Sequence, residues 1–147
     1  MFFDITIIGA GVVGLSIAKS CSEQGMSVVV LEKDARSGEG ISSRNSGVIH
    51  AGIYYPNKSL KTKFCLSGNK LLYDYAKEKR INHKRIGKYI IASSKAEIEK
   101  LEGIYKKGIL NSVTLNLLTK ENMRSIYPDL NIEAGIYSPN TGIIDVP

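Results

Sequence analysis

Residues 5–14 read Ile5-Thr6-Ile7-Ile8-Gly9-Ala10-Gly11-Val12-Val13-Gly14, an apolar run that ends in three glycines spaced GxGxxG. The run from Phe2 to Ile8 lacks polar alternation, as expected for a parallel strand buried on both faces. After the glycines, Val13, Ile17, Ala18 and Cys21 recur at helical spacing as far as Gln24, and Gly25 stands where a left-handed cap would close the helix. Ser27 to Leu31 contains Val28-Val29-Val30 and reads as a second buried strand. Strand, glycine turn, helix and strand are complete within about 30 residues, the length of a βαβ unit. In that setting Gly9 permits the tight turn, Gly11 lets the backbone approach a diphosphate, and Gly14 lets helix and strand pack closely. The unpaired N–H groups of the first helical turn, at the positive end of the helix dipole, then face the phosphates.

Glu32 ends the second strand 18 residues after Gly14. This is close to the offset at which a carboxylate accepts hydrogen bonds from the adenosine ribose, and a 2′-phosphate there would be repelled. The unit therefore predicts the ADP half of a cofactor other than NADP. FAD and NAD present the same ADP moiety, so these residues leave the two open. The loop from Asp34 to Gly52 bears on the choice, being long and crowded with serine and glycine. A structureless connection of this length in a compact domain is usually functional. Its segment Ser42-Ser43-Arg44-Asn45-Ser46-Gly47 offers hydroxyls, an amide, a guanidinium and accessible backbone for a second set of cofactor contacts.

Beyond Pro56, Leu60, Phe64, Leu71, Leu72 and Tyr75 mark one face of a helix ending near Arg80, with Gly68 as a point of close backbone approach. Ile86 to Ala92 predicts a strand, Lys95 to Lys107 an exposed helix closed by Gly108, and Val113 to Leu118 another strand. Lys120 to Ile126 predicts a short helix stopped at Tyr127-Pro128, and Ala134 to Ile144 a strand with a turn at Asn140-Thr141-Gly142. The change from a glycine-rich to a lysine-rich sequence places a boundary near residues 80–84. His83 reads as a solvated loop histidine, and Cys21 and Cys65 as small packing residues. No metal-ligand spacing occurs.

Composition fits one globular domain: 147 residues, 43% hydrophobic and 23% charged, with a net charge of +6. The charge is uneven, with 14 Lys/Arg against 5 Asp/Glu between Lys58 and Lys107 and 6 against 9 elsewhere. The lysines alternate with apolar residues at helical spacing and lack interleaved aromatics, which favours a solvated face; no nucleic acid partner is expected. The apolar opening has no basic flank, carries Asp4 and is broken by glycines, so it does not read as a signal peptide. No apolar run approaches the roughly 20 residues of a membrane span. A cytoplasmic location, or at most a peripheral one at the inner membrane, is expected.

The run Ser43-Arg44-Asn45-Ser46-Gly47-Val48-Ile49-His50-Ala51-Gly52-Ile53-Tyr54-Tyr55 resembles the FAD-dependent oxidoreductases of the D-amino-acid oxidase superfamily. Within them it is most similar to the L-2-hydroxyglutarate dehydrogenase/oxidase family. The likeness continues through Leu60-Lys61, Leu71-Leu72-Tyr73, residues 84–92 and Thr141-Gly142-Ile143-Ile144-Asp145. It implies an α/β fold: a Rossmann-like FAD-binding βαβ unit followed by the start of an α+β substrate domain. Residues 1–82 would be the N-terminal part of the FAD-binding domain, and 83–147 the beginning of the substrate domain. Family members are much longer and return to the FAD domain later, so the chain resembles their N-terminal third and an incomplete fold is expected.

The same resemblance implies that Gly9, Gly11, Val13, Gly14, Glu32 and Lys33 bind the ADP portion of FAD. Ser43, Arg44, Asn45, Ser46, Gly47 and Val48 would run along the pyrophosphate and flavin. His50 would lie near the isoalloxazine ring as the base, or as a donor that orients substrate, since imidazole exchanges a proton near neutral pH. Tyr54 would donate to a substrate carboxylate or serve as a packing aromatic. Related glycerol-3-phosphate dehydrogenases carry arginine at the position of Tyr54, which argues against a glycerol phosphate. The implied reaction oxidises a 2-hydroxy acid, foremost L-2-hydroxyglutarate to 2-oxoglutarate, by hydride transfer to flavin N5, with oxygen or a quinone as electron acceptor. A second polypeptide could complete the fold, and the 147 residues alone are expected to be inactive. Two other readings stay open, an NAD-dependent dehydrogenase fragment and a non-catalytic basic fragment that binds an anionic surface.

Overall fold

In the computed structural model, which describes residues 2–146, the βαβ unit forms as the glycine spacing requires. Strand β1 (Ile5–Ile8) leads through the glycine turn into helix α1 (Val12–Glu23), and β2 (Val28–Leu31) pairs parallel to β1, with Ile5 opposite Val28 and Ile8 opposite Leu31. Gly25 adopts φ +82° just after the helix, a left-handed conformation that a Cβ would oppose. Asp4 and Ser27 tie the strand starts together: the Ser27 amide and hydroxyl both donate to the Asp4 carboxylate, at 2.8 and 2.6 Å.

The strands depart from the sequence expectation in burial. Ile8 is 88% exposed, Leu31 53%, and α1 has no buried residue. Helix α1 half-buries Ile5, Ile7 and Val28–Val30, but the rest of this apolar parallel pair stays exposed, whereas such sheets normally lie between covering layers.

The chain divides into two compact units, one reaching Ser46 and including Val146, the other Gly47–Asp145. The composition change at residues 80–84 falls inside the second. There, β3 (Val48–Ile49) and β4 (His83–Lys84) flank β8 (Gly142–Ile144) in an antiparallel sheet. A second antiparallel sheet places β7 (Ala134–Ser138) between β5 (Lys88–Ala92) and β6 (Asn116–Leu118). Three helices complete the unit: α2 (Leu60–Glu78), α3 (Lys95–Leu110) and α4 (Lys120–Ile126). Ser59 caps α2 by accepting from the Thr62 amide, and Thr119 with Asn122 forms a reciprocal capping box on α4. The core gathers Ala51, Ile53, Ala92, Leu101, Val113, Leu115 and Ile136.

Four expectations need correction here. Helix α3 is not merely exposed: Leu101 is buried and Ile98, Ile104 and Tyr105 pack on the core. Gly108 does not close α3 but lies within it, buried where a Cβ would collide with Leu115, and Asn111 is the cap. A Cβ added to Gly68 would meet no atom outside its own helix within 4 Å among the described residues, so no close approach requires glycine there. His83 is half-buried in β4, with Nδ1 2.7 Å from the Ile81 carbonyl and its ring 5.9 Å from that of Tyr73.

Candidate functional site: a dinucleotide cradle and a histidine recess

The first unit assembles Gly9, Gly11, Val13, Gly14 and Glu32 around one turn. Gly9 has φ +102°, which only glycine adopts without strain. A Cβ on Gly14 would collide with the Gly9 carbonyl, so helix and turn touch backbone to backbone. Gly11 is the N-cap of α1 and supplies no capping side chain, and no acidic residue occupies the first turn. The amides of Val13 and Gly14 meet no acceptor among the described residues, whereas that of Val12 donates to Ser42 Oγ at 2.9 Å. A helix start of this kind attracts an anion.

Glu32 acts first on its own backbone. Its Oε2 accepts from the Ala10 amide at 2.6 Å, and Oε1 accepts from the amides of Lys33 at 2.8 Å and Asp34 at 3.1 Å. The carboxylate thereby staples the glycine turn to the end of β2. A carboxylate has about four acceptor positions, so one remains for a ribose hydroxyl. The Asp34 and Ala10 amides hold the Glu32 carboxyl below its ordinary pKa, so it is ionised at neutral pH.

The serine-rich segment is ordered by local bonds. A short 3-10 turn at Ile41–Ser43 is closed by the Arg44 amide on the Ile41 carbonyl, and Asn45 Nδ2 donates to the Ser42 carbonyl at 2.8 Å. Ser43 Oγ donates to the Gly40 carbonyl. Arg44 and Ser46 are exposed, as is the Lys33 residue beside Glu32. Ser42, the first residue of that segment, reaches the helix start through the Val12 amide. Its hydroxyl accepts from Val12 while keeping its own proton for an anion. Only its place in a serine run could have signalled this.

In the second unit, Gly47 precedes β3 and Val48 begins it, and the loop after the strand carries His50 and Tyr54. The Gly47 carbonyl accepts from the Ile144 amide at 2.8 Å. The His50 carbonyl takes Asn69 Nδ2 at 3.0 Å, while buried Asn111 sends Nδ2 to the carbonyls of Gly52 and Tyr55 at 3.3 and 2.9 Å. The imidazole is left on an exposed residue at a small recess that also includes Tyr54, Lys88 and Thr141. Lys88 Nζ lies 4.8 Å from the centre of the Tyr54 ring. Burial pushes the thiol of Cys65 up, so it remains a thiol at neutral pH and makes a poor nucleophile.

These features define a Rossmann-type dinucleotide-binding unit whose polar groups fit the ADP half of a cofactor: open helix amides, a serine hydroxyl and an ionised carboxylate at the end of the second strand. The family model for FAD dependent oxidoreductases matches residues 4–147, and the chain belongs to that family. Its cofactor is accordingly FAD, and the NAD-dependent alternative is set aside. The chain is 44% identical to the mitochondrial L-2-hydroxyglutarate dehydrogenase of Dictyostelium discoideum over 149 residues, covering 97% of this chain and 33% of that protein. It is 45% identical to the enzyme of the same name from Arabidopsis thaliana over 143 residues, covering 97% and 30%. Among solved structures, the L-alpha-glycerophosphate oxidase of Mycoplasma pneumoniae with FAD bound superposes with a TM-score of 0.85 at 32% identity, over 97% of this chain and 39% of that one. Glycine oxidase from Geobacillus kaustophilus shares the fold, with a TM-score of 0.84 at 24% identity over 99% and 41%. The chain spans about a third of the length of the curated relatives it matches. Among the described residues no helix is long and apolar enough to cross a membrane.

Proposed function

We propose that this chain is the N-terminal portion of an FAD-dependent 2-hydroxy-acid dehydrogenase or oxidase, with L-2-hydroxyglutarate as substrate and 2-oxoglutarate as product. The observation that carries this reading is the 44–45% identity, over 97% of the chain, to proteins named for that activity. The alternative of a non-catalytic basic fragment has no comparable support. In this reading residues 1–82 belong to the FAD-binding domain, and 83–147 open the substrate domain.

The cradle residues divide the work of holding FAD. The Val13 and Gly14 amides and the Ser42 hydroxyl bind the diphosphate, and Glu32 accepts from the adenosine ribose with Lys33 at its side. Residues 43–48 follow the cofactor onward, Arg44 and Asn45 as donors, Ser43 and Ser46 as hydroxyls, and Gly47 and Val48 through their backbone. When bound, FAD supplies the two-electron acceptor for the hydride that leaves C2. His50 takes the proton from the substrate hydroxyl through its imidazole, held at the end of a loop that Asn69 and Asn111 fix from behind. Tyr54 lies at the same recess and orients the bound acid.

The test is anaerobic mixing of L-2-hydroxyglutarate with the FAD-loaded protein that contains this chain at the length of its relatives. Loss of the oxidised flavin colour, with stoichiometric 2-oxoglutarate, is expected. Reduction by glycerol 3-phosphate in place of the hydroxy acid would overturn the substrate assignment. Reoxidation by oxygen or by a quinone identifies the acceptor, and fractionation of cells tests the cytoplasmic or peripheral location.

A further inference from the structure

We propose that Lys88 is a carboxylate-binding residue, seated on the Tyr54 ring so that its ammonium receives a substrate carboxylate beside His50. The inference deepens the 2-hydroxy-acid reading above and rests on it for the identity of the substrate. The sequence alone pointed to His50 and Tyr54 but left the cation for an acidic substrate unassigned. Lys88 was then one lysine among many in a basic stretch.

Three segments build the recess, and each is fixed by bonds of its own. Residues 50–55 follow β3 and are held by Asn69 and Asn111. Lys88 begins β5, where it stands opposite Ser138 in the ladder with β7. Thr141, in the turn between β7 and β8, accepts the Gly87 amide on its carbonyl at 2.9 Å, and its Oγ1 lies 3.1 Å from Ser138 Oγ. The backbone that presents Lys88 is thus part of a sheet and is tied to Thr141, which also lines the recess. A positioned charge of this kind, unlike a solvated lysine, loses little freedom when it binds.

Among the described residues the ammonium has no anionic partner. The ion pairs among the described residues use Lys19, Arg36, Lys79 and Lys120, and Lys88 is the sole lysine or arginine lining the recess. A ring face attracts the cation through its quadrupole but accepts no ordinary hydrogen bond. The Tyr54 ring therefore steers Lys88 and leaves its N–H donors available to a carboxylate. A 2-hydroxy acid presents a hydroxyl that must lose a proton and a carboxylate that must be neutralised, and His50 and Lys88 both line this recess. In this arrangement Tyr54 acts chiefly through its ring.

Glutarate tests the assignment, because it keeps both carboxylates and lacks the hydroxyl addressed by His50. In the FAD-loaded protein that contains this chain at the length of its relatives, the Lys88 side-chain resonances are expected to move saturably with glutarate, a readout that needs no variant. Lys88→Met keeps the aliphatic stem over Tyr54 and should weaken glutarate binding about tenfold or more, measured by calorimetry, while Lys88→Arg stays within about threefold. FAD affinity should be unchanged in both. Equal glutarate binding by Lys88→Met, or an unmoved Lys88 resonance at saturation, overturns the proposal. Flavin reduction by L-2-hydroxyglutarate alongside that result would leave the reaction standing without Lys88. Glutarate held by Lys88 in a protein whose flavin no 2-hydroxy acid reduces would instead remove the reaction and keep the carboxylate site.

Discussion

Glu32 shows how one side chain can serve the fold and the cofactor together. The three amides it accepts belong to the glycine turn and to the end of β2, so replacing it disturbs the cradle as well as the ribose contact. Glu32→Ala should lower FAD affinity about tenfold or more by equilibrium dialysis, with the second unit unaffected. The pH dependence follows from the direction of its shift. A carboxyl lowered from its ordinary 4.5 by the Asp34 and then the Ala10 amide adds stability above that value and loses it as pH falls through the lowered one. In the protein at the length of its relatives, protection of the Ala10, Lys33 and Asp34 amides from hydrogen exchange should accordingly hold at neutral pH and fade only in acid. His50 makes a different prediction, because its backbone is held while its ring is exposed. His50→Gln should reduce the rate of flavin reduction by roughly 10²–10⁴ and leave FAD binding intact. A reduction rate within about twofold of wild type would remove His50 from proton transfer.

At the level of elements, legibility followed the range of the forces involved. The βαβ unit was readable because its cause is local: a glycine whose φ is +102°, another whose Cβ would strike a carbonyl, and apolar spacing that alternates between strand and helix. Helices α1, α2 and α4 were readable for the same reason. The short strands β3 and β4 were not, since each has two residues and exists only by pairing with β8, more than fifty residues further along the chain. The end of α3 was misread because Gly108 looks like a stop yet is required by contact with Leu115, a tertiary demand invisible to spacing. Asn111 was missed for a related reason. It caps α3 and crosses to the His50–Tyr55 loop, which nothing in the sequence links to it. Being only 3% exposed, it should be costly to remove. Asn111→Ala is expected to destabilise the second unit by about 1–3 kcal/mol in urea unfolding, through two carbonyls left without their donor. It should also raise loop mobility at His50, seen as faster exchange of the Ile53 and Tyr54 amides.

On the scale of the molecule, the two units meet different standards. The second has a continuous core around Ile136, with helix α3 laid over β5 and β7. The first has two parallel strands, no buried helix residue and exposed Ile8 and Leu31. Two paired strands backed by one helix with no buried residue are marginal in water. The glycine turn needs that support, because the amides of α1 bind a diphosphate well only when strand and helix are held in register before the ligand arrives. The 147 residues alone should therefore bind FAD weakly, show no turnover, and bind a hydrophobic dye through the open faces of the first unit. Hydrogen exchange should separate the units, with amides of β5 and β7 protected longest and those of β1 and β2 exchanging fast. Extending the chain to the length of its relatives should protect β1 and β2 and tighten FAD binding together. Tight FAD binding by the 147-residue chain, with β1 and β2 protected as well as β7, would mean that the apolar strands need no further covering.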